Sequence, residues 1–136
     1  MDGQLKAGTF LTSESSNKYK VNALLGAGGQ GEVYDVECGG KHYALKWYFK
    51  HMATKSQKEI LDNLITRGAP DDSFLWPQDL IFKGYGESFG YIMPLRPKNF
   101  KSIVDMMKRR AEPSFRTLCK AAYNLTNGYQ KLHTMG

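Results

Sequence analysis

Short runs rich in β-branched and aromatic residues, several of them alternating with polar positions, dominate the first hundred residues. Three such runs follow one another closely, at 20–25, 32–37 and 42–49. Two shorter apolar segments, 79–82 and 91–95, are bounded by glycines and prolines. This is the pattern of half-buried strands separated by turns. The sequence therefore predicts five strands, the first three of them consecutive.

In three other segments, 57–67, 100–110 and 115–135, the apolar residues have helical spacing. In the first of these, apolar residues recur on one side of a helix, and Gly68 follows as a candidate C-cap. The third segment begins after Pro113 and has a regular apolar face that a complete domain would bury. The residues of that face are Leu118, Ala122, Leu125, Tyr129 and Leu132.

A glycine-rich stretch joins the first two predicted strands. Gly26, Gly28 and Gly31 have G-x-G-x-x-G spacing, which lets a backbone approach phosphate oxygens without interference from side chains. A dinucleotide-binding loop would open a helix after its glycines, but here a strand follows. The glycines are therefore predicted to lie within a β-hairpin.

Two motifs in this region resemble the N-terminal lobe of a protein kinase. Gly26, Gly28, Gly31 and Val33 fill every specified position of G-x-G-x-x-G-x-V. The segment Tyr43–Lys46 resembles Val-Ala-Ile-Lys, with an aromatic residue in place of the valine. The resemblance is to eukaryotic-like Ser/Thr kinases of a divergent, bacterial type.

The resemblance implies an α+β fold, in which a five-stranded antiparallel sheet with one helix precedes two helices of an incomplete C-terminal lobe. It divides the chain into a lead-in at 1–17, an ATP-binding lobe at 18–97 and the helices at 98–136. The end of the chain, 132–136, is similar to the Leu-His-x-x-Gly that precedes the catalytic loop in this family.

The same resemblance implies a site for ATP with Mg²⁺, and it assigns no metal ligand to this chain. Lys46 is the expected catalytic lysine beside the α- and β-phosphates. Met93 is expected at the back of the adenine pocket, with a plain core role as the alternative. The residues expected to contact the nucleotide are Leu25, Gly26, Ala27, Gly28, Gly29, Gln30, Gly31, Val33, Ala44, Lys46, Met93, Pro94 and Arg96.

In this family a helix glutamate forms an ion pair with the strand lysine, and here its identity stays open. Glu59 is one candidate and is assigned a catalytic role on that basis. The apolar spacing of the helix, counted back from Leu64, instead puts Gln57 at the ion-pair position. Asp62 is a further candidate, and the absence of any pair is the remaining one.

We therefore expect the ATP-binding portion of a Ser/Thr protein kinase, which would phosphorylate protein hydroxyls in a complete enzyme. The 136 residues contain no His-Arg-Asp, Asp-Phe-Gly or Ala-Pro-Glu motif, so we expect them to be inactive alone. One alternative is a non-catalytic module that binds nucleotide or self-associates through helices 100–135. A small-molecule kinase is another.

Composition and charge limit the kinds of partner that the chain is expected to bind. The formal net charge is +6, but the basic residues are scattered apart from one run at 108–110, so we expect no nucleic-acid partner. No apolar run is long enough to span a membrane. Cys38 and Cys119 lie far apart without metal-ligand spacing, which is typical of reduced thiols in a cytoplasmic protein.

Overall fold

The structure, a computed structural model, describes residues 3–71, 74–84, 86–96 and 114–135. It consists of two compact units. The first comprises Met1–Ala69 and Leu75–Leu95, and the second comprises Pro70–Phe74 and Arg96–Gly136. The first unit contains the predicted glycine-rich hairpin and the predicted catalytic lysine.

Six strands form one antiparallel sheet in the order β1-β2-β3-β4-β6-β5. They are β1 (Phe10–Thr12), β2 (Lys18–Ala27), β3 (Gly31–Cys38), β4 (Lys41–Tyr48), β5 (Asp79–Ile81) and β6 (Gly90–Pro94). The prediction of five strands was wrong by one, because β1 lies within the segment predicted as a lead-in. Its three residues pair with the start of β2, a contact that local periodicity does not encode.

The hairpin between β3 and β4 turns at Gly39 and Gly40, whose φ values are 59° and 80°. Two consecutive residues with positive φ form the tight hairpin turn that matches the twist of paired strands. Every residue of β3, from Gly31 to Cys38, pairs in unbroken register with β4. This continuous pairing fixes which β4 residues lie beside the glycine-rich loop.

The two edges of the sheet approach each other at Asp79. The Glu14 N–H donates to the Leu80 carbonyl at 2.8 Å, linking the turn after β1 to β5. The buried Asp79 carboxylate accepts hydrogen bonds from Ser15 Oγ at 2.9 Å and from the Tyr19 hydroxyl at 3.1 Å. The sheet is thereby almost closed into a barrel.

Each face of the sheet packs against its own apolar cluster. One cluster fills the inside of the curved sheet and includes Tyr34, Leu45 and Ile92, each at most 1% exposed. The other includes Tyr48 and Leu61 and covers the opposite face. Neighbouring residues on a strand point to opposite faces, so β4 supplies Leu45 and Trp47 to the inner cluster and Tyr48 to the outer one.

The predicted helix at 57–67 is confirmed as α1 (Lys55–Arg67) and follows a short 3₁₀ turn at Lys50–Met52. Thr54 caps it by accepting a hydrogen bond from the Gln57 N–H at 3.2 Å. The Gly68 N–H closes the other end by donating to the Leu64 carbonyl at 3.0 Å, as predicted from its position.

The second unit contains α2 (Phe115–Met135), which confirms the predicted helix at 115–135. Ser114 Oγ accepts from the Thr117 N–H at 3.2 Å and caps the first turn. Lys131 forms an ion pair with Asp71 of the same unit. The predicted helix at 100–110 lies outside the described residues. In the part of the chain that the structure describes, neither helix is long and apolar enough to cross a membrane.

Candidate functional site

The glycine-rich loop is the turn of the β2–β3 hairpin. Gly28, Gly29 and Gln30 are exposed at its tip. The Gly28 N–H donates to the Gly31 carbonyl at 2.9 Å, which closes the turn. The Gln30 carbonyl accepts from the Phe49 N–H at 2.9 Å, so the loop is attached to the end of β4. The predicted hairpin context of the glycines is therefore present.

The glycines of this loop have different structural reasons to be glycine. A Cβ at Gly31 would lie 2.1 Å from the Trp47 carbonyl oxygen, so the fold itself requires a glycine there. A Cβ at Gly26, Gly28 or Gly29 would meet no atom of the described residues within 4 Å. None of these three has a positive φ. Nothing within the fold requires these three glycines, and their bare backbone faces open space.

An exposed apolar side chain lies next to the loop. In the pairing of β2 with β3, Leu24 is opposite Tyr34 and Gly26 is opposite Val33, so Leu25 is the extra residue of a bulge. Its side chain is 54% exposed. Bulges recur beside binding sites because they redirect a side chain. Here the bulge turns a leucine away from the core.

Four of the predicted nucleotide contacts lie on one face of the sheet. Val33 is directly opposite Lys46, and Ala44 is directly opposite Met93. Directly opposed residues of antiparallel strands share a face, as do residues two apart on one strand. Ala44 is buried, and the other three are half-buried. The structure thus brings together Val33, Ala44, Lys46 and Met93.

Lys46 makes no ion pair with a carboxylate within the described residues. Glu59 is exposed on α1. Asp62 pairs instead with Lys58, with 2.8 Å between Nζ and Oδ2. In the part of the chain that the structure describes, neither Glu59 nor Asp62 forms an ion pair with Lys46, and the identity of a partner stays a prediction.

Gln57 of α1 forms a hydrogen bond to the face of β4 that carries Lys46. Its Nε2 donates to the Tyr48 hydroxyl at 3.1 Å, and Tyr48 lies two residues after Lys46 on the same face of β4. An amide carries no charge, so this contact orients the helix without neutralising the lysine. The contribution of Tyr48 had no signal in the sequence beyond its place in an apolar run.

Further along the same face, Asp35 is bound to His42 rather than to Lys46. Asp35 Oδ1 lies 2.9 Å from His42 Nδ1. This hydrogen bond, together with the charges of Asp35 and Glu37, raises the pKa of the exposed His42. Asp35, on the same face as Lys46, is therefore already engaged by a partner.

Three other residues that were predicted to contact the nucleotide are Ala27, Pro94 and Arg96. Ala27 pairs with Glu32 at the end of β2, and Pro94 is opposite Tyr43 at the end of β6. Arg96 is exposed and belongs to the second unit. Among the residues that the structure describes, no three His, Cys, Asp or Glu side chains come together as a metal site.

No family model matches the sequence, and no curated protein matches it. A solved structure described as that of vaccinia related kinase 3 matches with a TM-score of 0.69 and 18% sequence identity. The fold is kinase-like. The match covers 96% of this chain and 42% of the matched chain, so the chain spans less than half the length of that kinase.

Proposed function

We propose that the first unit binds ATP between the glycine-rich loop and the face of β4 that carries Lys46. The observation that carries this proposal is the half-buried residue Lys46, which has no carboxylate partner among the described residues and lies opposite Val33. A cation held on a sheet beside bare, unobstructed glycines is suited to a polyphosphate. A plain β-hairpin would require neither feature.

The residues present fit such a ligand in three ways. Backbone at Gly26, Gly28 and Gly29 is open to approach by phosphate oxygens, since a Cβ there would meet nothing. Lys46 would supply a point charge to the phosphates. The exposed Leu25 would cover an apolar base from the loop side. When bound, ATP supplies the transferable phosphoryl group.

For a longer protein that contains this chain, we propose phosphoryl transfer to protein hydroxyl groups. The support is the kinase-like fold together with the resemblance of the two motifs. The Ser/Thr preference, the bacterial type and the Mg²⁺ ligands all stay predictions, as does the role of Glu59. A small-molecule acceptor is the competing proposal, because the residues described here do not choose between acceptors.

Titration with a non-hydrolysable ATP analogue in the presence of Mg²⁺ tests the nucleotide proposal. We expect saturable binding that Lys46→Met weakens by about tenfold or more, because a charge-assisted contact is lost. Lys41→Met is the matched control, since Lys41 lies on the same strand but on the opposite face. Equal binding by Lys46→Met and Lys41→Met would contradict the proposal.

A second candidate function is self-association, and it is favoured by the exposed apolar side chains of α2. Phe115, Tyr123 and Leu125 are 81%, 66% and 60% exposed. The face at 118, 122, 125, 129 and 132 alternates steps of four and three residues, which is the spacing with which two helices interlock. Under this candidate, the partner is a second copy of the chain.

A further inference from the structure

A buried carboxylate lies directly behind the glycine-rich loop. Glu32 follows Gly31, the one loop glycine that the fold itself requires, and is 8% exposed. Its Oε2 accepts hydrogen bonds from the Tyr34 hydroxyl and from the Gln4 N–H, the latter at 2.8 Å. No cation forms an ion pair with it in the described residues. A buried charge of this kind depends on the hydrogen bonds that it receives.

One of those donors belongs to a segment far away in the sequence. We call residues 3–5 the N-terminal strap. The Leu5 N–H donates to the Tyr34 hydroxyl at 3.0 Å, and the Leu5 side chain packs against the inner core cluster. Gly3 is so close to Tyr34 that a Cβ would lie 2.1 Å from the hydroxyl oxygen. The strap is thus fitted onto Glu32 and Tyr34.

The chain between the strap and β1 has a second attachment to the sheet. Beyond the strap, the Gly8 N–H donates to the Val21 carbonyl at 2.7 Å and joins the chain to β2. Between the two attachments lies a cleft of about 570 Å³, lined in part by Lys6, Ala23 and Leu24. The strap itself therefore contacts the hairpin at Glu32 and Tyr34, near the glycine-rich loop, and the Gly8 bond lies further along β2.

We propose that the N-terminal strap positions the glycine-rich loop, with Glu32 and Tyr34 as the positioning residues. Glu32 and Tyr34 point to the face of β3 opposite to Val33, because side chains alternate along a strand. The strap therefore supports the hairpin from behind and leaves the proposed nucleotide face open. Its effect on nucleotide affinity rests on the proposed function, whereas its effect on the loop does not.

Few other contacts hold the tip of the loop. The tip is exposed, and within the described residues its hydrogen bonds to the rest of the sheet are those of the strand pairing and of the Phe49 N–H to the Gln30 carbonyl. Losing the Gln4 donor leaves the buried Glu32 carboxylate short of one partner. The carboxylate would then turn toward water and loosen the base of the hairpin.

The test compares Gln4→Pro with Gln4→Ala in the full chain. Proline removes the N–H that donates to Glu32, whereas alanine keeps it. Gln4 is exposed in the wild-type chain, and both variants lose the same side chain. The readout is hydrogen exchange at the Gly28 and Phe49 amides, which bond within and to the loop. We expect about fivefold to tenfold faster exchange in Gln4→Pro and little change in Gln4→Ala.

The Ser13 amide, which bonds to the Asn17 carbonyl at the far end of the sheet, is the internal reference. Equal exchange at Gly28 in the proline and alanine variants would overturn the proposal, and so would faster exchange at Ser13 to the same degree. Should Gln4→Pro not fold, Gly3→Val displaces the strap through the clash with Tyr34.

Titration of both Gln4 variants with the ATP analogue gives the functional arm. We expect weaker binding by Gln4→Pro than by Gln4→Ala, because a looser loop must be ordered on binding. If the wild-type chain binds no nucleotide, the proposed function fails while the exchange data still decide whether the strap holds the loop. If nucleotide binds equally well to both variants, the strap has no part in recognition.

Discussion

Replacing Asp79 with asparagine should weaken the contact between the two edges of the almost closed sheet. The Asp79 carboxylate accepts hydrogen bonds from Ser15 at Oδ1, and from Asn17 and Tyr19 at Oδ2. Asparagine keeps one of these oxygens and replaces the other with an amide that donates. The donors of Asn17 and Tyr19 would then face a second donor instead of an acceptor.

The magnitude follows from those two bonds. A hydrogen bond to a charged group contributes about 1.5–3 kcal/mol, and the Tyr19 hydroxyl can rotate to accept from the new amide. We therefore expect Asp79→Asn to lower the free energy of unfolding by about 2–4 kcal/mol. That is a large share of the roughly 5–15 kcal/mol by which domains are usually stable.

Urea unfolding followed by tryptophan fluorescence measures the loss, because Trp47 is buried in the inner cluster. Asp62→Asn is the matched control, since Asp62 is partly exposed on α1 and its ion-pair partner is Lys58. Because Asp62 is 43% exposed and Lys58 keeps a second carboxylate partner in Glu14, we expect this variant to lose at most about 1 kcal/mol. Equal losses in the two variants would refute the assigned role of Asp79.

The pH dependence gives an independent check on the same carboxylate. Burial alone raises the pKa of Asp79, but hydrogen bonds from Ser13, Ser15 and Asn17 outweigh it, so the pKa lies below its ordinary value. The folded state therefore favours the charged form. Its contribution is fully present above the unfolded pKa of about 4 and is lost as the pH falls through the lower folded pKa. The difference between wild type and Asp79→Asn should shrink in that acidic range.

Two other predictions concern the loop and α2. Gly31→Ala should lower the free energy of unfolding by several kcal/mol because its Cβ would meet the Trp47 carbonyl oxygen, whereas Gly28→Ala should change stability by less than about 0.5 kcal/mol but weaken binding of the ATP analogue. A loss of stability in Gly28→Ala equal to that in Gly31→Ala would contradict the steric argument. Sedimentation velocity should show concentration-dependent self-association that Leu125→Lys abolishes, whereas a monomer at all concentrations would eliminate the second candidate function.

Local sequence patterns predicted the central part of the fold well. The strands β2, β3 and β4 are recognisable from their alternating apolar and polar residues and from the glycines at their turns. The helix α1 is recognisable from its apolar face and from Gly68. These signals act over a few residues. Strand periodicity also places Ala44 and Lys46 on one face, whereas Val33 shares that face through the pairing register of β3 with β4.

Contacts between distant segments were not predictable in this way. Phe10–Thr12 is too short and too polar in its surroundings to be recognised without its partner in β2. Asp79 meets its partners across 60 or more residues, and Gln4 meets Glu32 across 28. From the sequence alone, an acidic residue after a glycine-rich loop is expected to be exposed to solvent. Glu32 is buried instead, and its contact with the strap has no local signal. Whether Lys46 has a carboxylate partner was left open by the sequence for the same reason.

Under the proposed function, a nucleotide binds between the glycine-rich loop and the Lys46 face of the sheet. Amide chemical shifts recorded during titration with the Mg²⁺-loaded ATP analogue test it at individual residues. We predict saturable shifts at Gly28, Gly29 and Met93, with those of α2 unchanged. Shifts confined to α2, or no saturable shift at the loop amides, would contradict the account.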